Sequence, residues 1–140
     1  MKPLNIQTTV EFTPTHLIVD ACPRYWEDAT VDGVEDTNGS LIPLREGDSW
    51  RIAIGLDAGR IVGWPQGTVA SVHYKVCDNG EYWLEDKNER RAKYKSDYVP
   101  DGLLCMGDKG YGDYIILKIN ENGYIQNWKP EIDEEDWELV

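Results

Sequence analysis

Glycine follows a short polar step at four places along this chain: Thr37-Asn38-Gly39, Asp57-Ala58-Gly59, Asp78-Asn79-Gly80 and Glu121-Asn122-Gly123. At such places glycine supplies the positive φ that a tight reversal needs and that other residues adopt only at a cost. Between the turns lie β-prone runs, Trp50 to Ile54 and Tyr114 to Ile119 among them. Together they predict a mainly β protein of antiparallel hairpins, forming a β-sandwich or a partly open barrel with little helix.

Read in order, residues 5–12 and 16–21 form two strands around Pro14, and Cys22-Pro23 interrupts. Tyr25 to Val31 and Ser40 to Leu44 bracket an acidic turn region as a long exposed hairpin. A third hairpin joins Trp50 to Leu56 with Arg60 to Trp64. A fourth joins Val69 to Cys77 with Glu81 to Glu85 through Asp78-Asn79-Gly80. Residues 84–95 suit either a short helix or a turn through Asp86-Lys87-Asn88 followed by an edge strand. The turn is preferred because charged residues protect an edge from pairing with other chains. Residues 112–128 form the last hairpin.

Two of these hairpins share a pattern. Gly59-Arg60-Ile61 to Trp64 and Gly123-Tyr124-Ile125 to Trp128 both read Gly-x-Ile-x-x-Trp, each after an apolar strand. Convergence on common turn grammar explains this match, and so does a two-fold internal repeat that makes the hairpins pseudo-equivalent.

A chain of 140 residues is the size of one domain and can bury a core without disulfides or metals. Residues 1–128 are expected to form that domain, with 129–140 an acidic C-terminal tail. Cys22, Cys77 and Cys105 are odd in number and lack C-x-x-C spacing, which argues against a disulfide framework or zinc ribbon and fits a reducing, cytoplasmic setting. The first residues lack the apolar run of a signal peptide, and no stretch nears the roughly 20 apolar residues of a membrane span.

Net charge is −12, and its distribution is uneven. Residues 25–48 carry seven acids against Arg45, a balance of −6, and residues 129–140 carry six against Lys129, a balance of −5. The one basic cluster is Lys87, Arg90, Arg91, Lys93 and Lys95. Such a field repels nucleic-acid phosphates and favours basic protein surfaces.

Six Trp and eight Tyr stand against the single Phe12, a balance suited to half-wet recognition surfaces as well as to filling a thin core. Tyr25 and Trp26 are adjacent and so face opposite sides of a strand, which leaves one of them on a surface. Catalytic readings are weak by comparison. His73 and Cys77 share a strand face but lie roughly 13 Å apart, too far for a nucleophile and its base. Asp32, Glu35 and Asp36 lack the spaced ligands of a calcium loop, and no Ser or Thr follows Lys109 in Gly107 to Gly112 as a P-loop requires. No catalytic residue, metal or cofactor is assigned.

The sequence therefore points to a non-enzymatic, acidic binding protein that occupies a basic surface of a protein partner, such as one that otherwise holds nucleic acid. The contact residues are expected to be Tyr25, Trp26, Glu27, Asp28, Asp32, Glu35 and Asp36, with Glu134, Glu135, Asp136 and Trp137 in the tail. Bacteriophage inhibitors of host defence complexes, anti-CRISPR proteins included, share this size and charge. The alternative is a small-ligand-binding barrel or sandwich with a pocket lined by Tyr and Trp.

Overall fold

A computed structural model describes residues 3–6, 10–27, 34–35, 41–42, 50–76, 81–95, 108–109, 115–126, 128, 130 and 132–140, of which 10, 22–27, 34–35, 41–42, 108–109 and 115 are described by backbone alone. The chain is mostly β, and its strands pair antiparallel throughout. In order, β1 (Leu4–Ile6) and β2 (Val10–Phe12) form a small hairpin, and β3 (Pro14–Glu27) is the longest strand. Short β4 (Val34–Glu35) and β5 (Leu41–Ile42) pair with each other. Then come β6 (Trp50–Gly55), β7 (Ala70–Val76), β8 (Tyr82–Asp86), β9 (Arg91–Tyr94), β10 (Asp108–Lys109) and β11 (Ile115–Ile119). A 3-10 turn, Glu134–Asp136, leads into β12 (Trp137–Leu139). The main sheet runs β10-β11-β7-β3-β8-β9-β12, with β6 also paired to β3.

Strand β3 organises the fold. One of its edges is held by β6 from His16 to Ala21, so β7 and β8, which pair with Ala21 to Glu27 and Pro14 to Val19, must share the other edge. Both run antiparallel to β3, hence in the same direction. They are therefore two lengths of one interrupted strand, and the hairpin expected between them through Asp78-Asn79-Gly80 does not form. Asp20 explains where the interruption closes. Its N–H donates to the Glu81 carbonyl at 3.1 Å, and its carboxylate accepts from the Glu81 N–H at 2.6 Å. A side chain on β3 thus returns the chain to its edge.

Two further expectations change. Cys22-Pro23 does not interrupt: β3 continues through it, and the register shift between Pro23 and Tyr25 marks the bulge that accommodates a residue without an N–H. Consequently Tyr25 to Glu27 pair with β7, and beyond them, among the described residues, Val34–Glu35 and Leu41–Ile42 form a ladder, the rest of the expected hairpin at 28–31, 40 and 43–44 lying outside the described residues. Residues 84–95 do form strand, turn and strand, yet β9 is no edge, because β12 pairs with its second side. The turn is organised by Asp86, whose carboxylate accepts the N–H groups of Asn88 at 2.9 Å and Arg90 at 2.8 Å and the Arg90 Nε at 2.8 Å.

The two Gly-x-Ile-x-x-Trp segments face each other across a pseudo-two-fold axis. Arg60 pairs with Tyr124, its counterpart in the other copy. The Ile61 N–H donates to the Gly123 carbonyl at 2.9 Å, and the Ile125 N–H donates to that of Gly59 at 2.9 Å. The tryptophans cross likewise, Trp128 lying over Gly59 and Trp64 over Gly123. Both glycines have positive φ, +73° and +87°, so each meets the turn and makes room for the other hairpin's indole. With the bridges Ile54 to Ile61 and Ile119 to Ile125, this contact spans the gap between β6 and β11 that the sheet ladders leave open.

One core lies on the inner face. Leu17, Val19 and Ala21 of β3, Ile52 and Ile54 of β6, Val72 and Tyr74 of β7, Tyr82 and Leu84 of β8, and Leu117 and Ile119 of β11 alternate with outward residues, as a sheet with one buried face requires. Trp137 completes it, 1% exposed, its ring edge-on to Tyr94 at 5.3 Å and to Tyr82 at 6.2 Å.

Candidate binding surfaces

The sheet's outer face carries a tryptophan that the inner core does not take up. Register aligns Ala53, Ile18, Trp83, Lys93 and Glu138 into one row across β6, β3, β8, β9 and β12. Val62, 55% exposed, joins its end through an N–H bond to the Ala53 carbonyl. Ionic rows flank it. On one side Arg51 donates to Asp20 at 2.6 Å and approaches Glu81 at 3.5 Å, and on the other Arg91 donates to Glu85 at 3.3 Å. Both guanidinium groups also sit over the Trp83 ring, at 5.0 and 4.6 Å from its centroid. They cover the indole with cations while their acids hold them in place.

Beside Trp83 the surface dips into a cleft of about 140 Å³ lined by Glu81, Tyr82, Trp83, Arg91, Lys93 and Val140. The Glu81 carboxylate turns to Arg51, and that of Glu85 to the Arg91 Nε. Among the described residues the Lys93 ammonium has no ion-pair partner.

The second surface is the acidic turn before β12. Asp133 caps it, its carboxylate accepting the Glu135 N–H at 3.1 Å. Glu134, Glu135 and Asp136 are all exposed, and no basic residue stands in the turn. Glu134 accepts the Asn5 N–H at 2.9 Å, which ties the turn to β1. Nearby, burial and then the Asp136 charge push the Tyr94 hydroxyl's pKa up.

The predicted contact residues divide accordingly. Glu134, Glu135 and Asp136 are exposed together, as a surface contact needs. Trp137 is a correction: it sits in the core, because the alternation of β12 turns it inward while Glu138 faces out, and β12 is a paired strand rather than a loose end. Tyr25, Trp26 and Glu27 belong to β3 opposite His73, Val72 and Ser71, and Glu35 to β4, all described by backbone alone. Asp28, Asp32 and Asp36 lie outside the described residues, as does Cys77.

His16 meets the Thr15 hydroxyl at 3.0 Å, and His73 pairs with Ile116 and Tyr25 in its strand ladders. No group of three or more His, Cys, Asp or Glu positioned to hold a metal ion occurs among the described residues. The Trp83 row was missed in the sequence because its residues come from five strands. The alternation Tyr82, Trp83, Leu84 carried the signal that Trp83 faces away from its neighbours. Compared with family models, curated proteins and solved structures, the chain gave no match.

Proposed function

We propose that this protein is a non-enzymatic binding protein whose acidic segments occupy a basic surface of a protein partner, of the kind that otherwise holds nucleic acid. The observation that carries the reading is the acidic turn, with Glu134, Glu135 and Asp136 exposed on backbone tied to β1 and β12 and left without ion-pair partners among the described residues. Carboxylates carried on backbone that is already fixed leave less of the chain to be ordered on meeting a cation than carboxylates on a free tail. The net charge of −12 adds long-range attraction, which speeds encounter and weakens with salt. A narrower form, an inhibitor that phages direct at a host defence complex such as an anti-CRISPR, rests on size and charge. Affinity capture from lysate at low and high salt, with bound proteins identified, tests the proposal. Basic nucleic-acid-binding proteins should be retained by the parent at low salt and lost by a Glu134→Gln, Glu135→Gln, Asp136→Asn variant. Equal capture by parent and variant would refute the role of the turn.

A second reading, a small-ligand protein, is favoured by one observation: the cleft beside Trp83 brings an indole and two cations together. Its volume is well below the roughly 300–1,000 Å³ of pockets that enclose drug-sized ligands. Any such ligand is small.

A further inference from the structure

Between β8, β9 and Val140 the surface forms a concavity in which an apolar wall meets the cationic side chains of Arg91 and Lys93. We propose that it binds a small monocarboxylate with a compact apolar body. The inference deepens the small-ligand reading and does not depend on the acidic turn.

Three features carry it. Size comes first: a cavity of about 150 Å³ accepts benzene, so this cleft of about 140 Å³ suits one ring or a short branched chain. Chemistry comes second. Trp83 is only 8% exposed beneath Arg51 and Arg91, so the open apolar wall is chiefly the side chain of Val140, 90% exposed; a bare anion such as phosphate leaves it wet while a carboxylate on an apolar body covers it. Charge comes third. Arg91 spends its Nε on Glu85, and among the described residues no acid takes its terminal nitrogens or pairs with Lys93 beside it. A carboxylate meeting both makes charge-assisted hydrogen bonds, the stronger kind. Glu81 opposes an anion less than its position suggests, because Arg51 lies 3.5 Å from its carboxylate. Glu138 does oppose it, standing across from Lys93 in the ladder of β9 and β12.

Amide and indole NMR shifts of the isotopically labelled protein at neutral pH and physiological salt test the proposal, with benzoate, benzamide and inorganic phosphate as probes. Under these conditions the protein's wider field is screened over about 8 Å. Benzoate should give saturable shifts centred on the Trp83 indole N–H and the amides of Lys93 and Val140. Benzamide and phosphate should each bind about tenfold more weakly or not at all. Lys93→Gln, an exposed substitution, should weaken benzoate about tenfold while leaving the spectrum elsewhere unchanged, and Glu138→Gln should tighten it about two- to threefold. The proposal is overturned if benzamide binds as well as benzoate, if phosphate does, if Lys93→Gln binds like the parent, or if the shifts centre elsewhere.

Discussion

Replacing Gly59 with alanine tests the crossed packing of the two related hairpins. A Cβ added there lies 2.5 Å from Trp128 Cγ and 2.7 Å from Cδ2, closer than carbon atoms approach without displacement. Its backbone, at φ +73°, costs an L-residue about 1–2 kcal/mol. Overpacking a filled site adds about 1–3 kcal/mol, for a total of about 2–5 kcal/mol, a large share of the roughly 5–15 kcal/mol that stabilises a domain. Gly67 separates the two contributions. It has φ +88° with nothing within 4 Å of an added Cβ, so Gly67→Ala meets the backbone cost alone. Urea denaturation of parent, Gly59→Ala, Gly123→Ala and Gly67→Ala should give unchanged m-values, with the first two variants about 1–3 kcal/mol less stable than the third. For Gly123→Ala the opposing atom is Trp64 Cβ at 2.7 Å, which belongs to the base of a side chain and cannot swing away. If all three variants lose the same stability within about 0.5 kcal/mol, the indoles are not packed on the glycines and the pseudo-two-fold contact is refuted.

Other outcomes follow from single sites. Trp137→Ala should lower stability by about 3–5 kcal/mol as a core truncation does, whereas a melting curve like the parent's would return it to the surface. Asp20 and Asp86 predict acid sensitivity. At Asp20 the Arg51 hydrogen bond is the main cause of a pKa below the usual 3.8, and at Asp86 burial alone would raise it but the bonds from Arg90 and Asn88 prevail. Since both folded values lie below the unfolded one, their stabilisation is full above the unfolded pKa and is lost as pH falls through the folded values. An Asp20→Asn, Asp86→Asn variant should therefore lose less stability than the parent between about pH 5 and pH 2, and parallel acid-denaturation profiles would contradict the assignment. Far-ultraviolet circular dichroism should show a β-dominated spectrum, and helix above about one third would contradict the fold.

The fold class was legible because turn chemistry and strand alternation are local. Gly59 and Gly123 announced their turns, and the spacing of Ile61 and Trp64 against Ile125 and Trp128 held the pseudo-symmetry before any packing was known. What failed was pairing. Asp78-Asn79-Gly80 has the composition of a hairpin turn, but Asp20, some 60 residues earlier, captures Glu81 and sets β8 on the same edge as β7. A proline reads as a strand end, yet Pro23 lies inside β3 because a bulge lies beside it. The acidic turn was visible as composition, while the burial of Trp137 was hidden because acidic neighbours at 133–136 and 138 mask a strand only three residues long. The Trp83 row depends on register between strands distant in sequence, which no local pattern encodes.

Recognition through the acidic surface should be read out in association kinetics. Surface plasmon resonance against a captured partner, at two salt concentrations, should compare the parent with two neutralised variants: Glu134→Gln with Glu135→Gln and Asp136→Asn, and Glu27→Gln with Asp28→Asn, Asp32→Asn, Glu35→Gln and Asp36→Asn. The parent should associate more slowly as salt rises, and at least one variant should associate about tenfold or more slowly at low salt, with a weaker salt dependence and an unchanged fold. Association by the parent and both variants at one rate, indifferent to salt, would contradict recognition through the acidic surface.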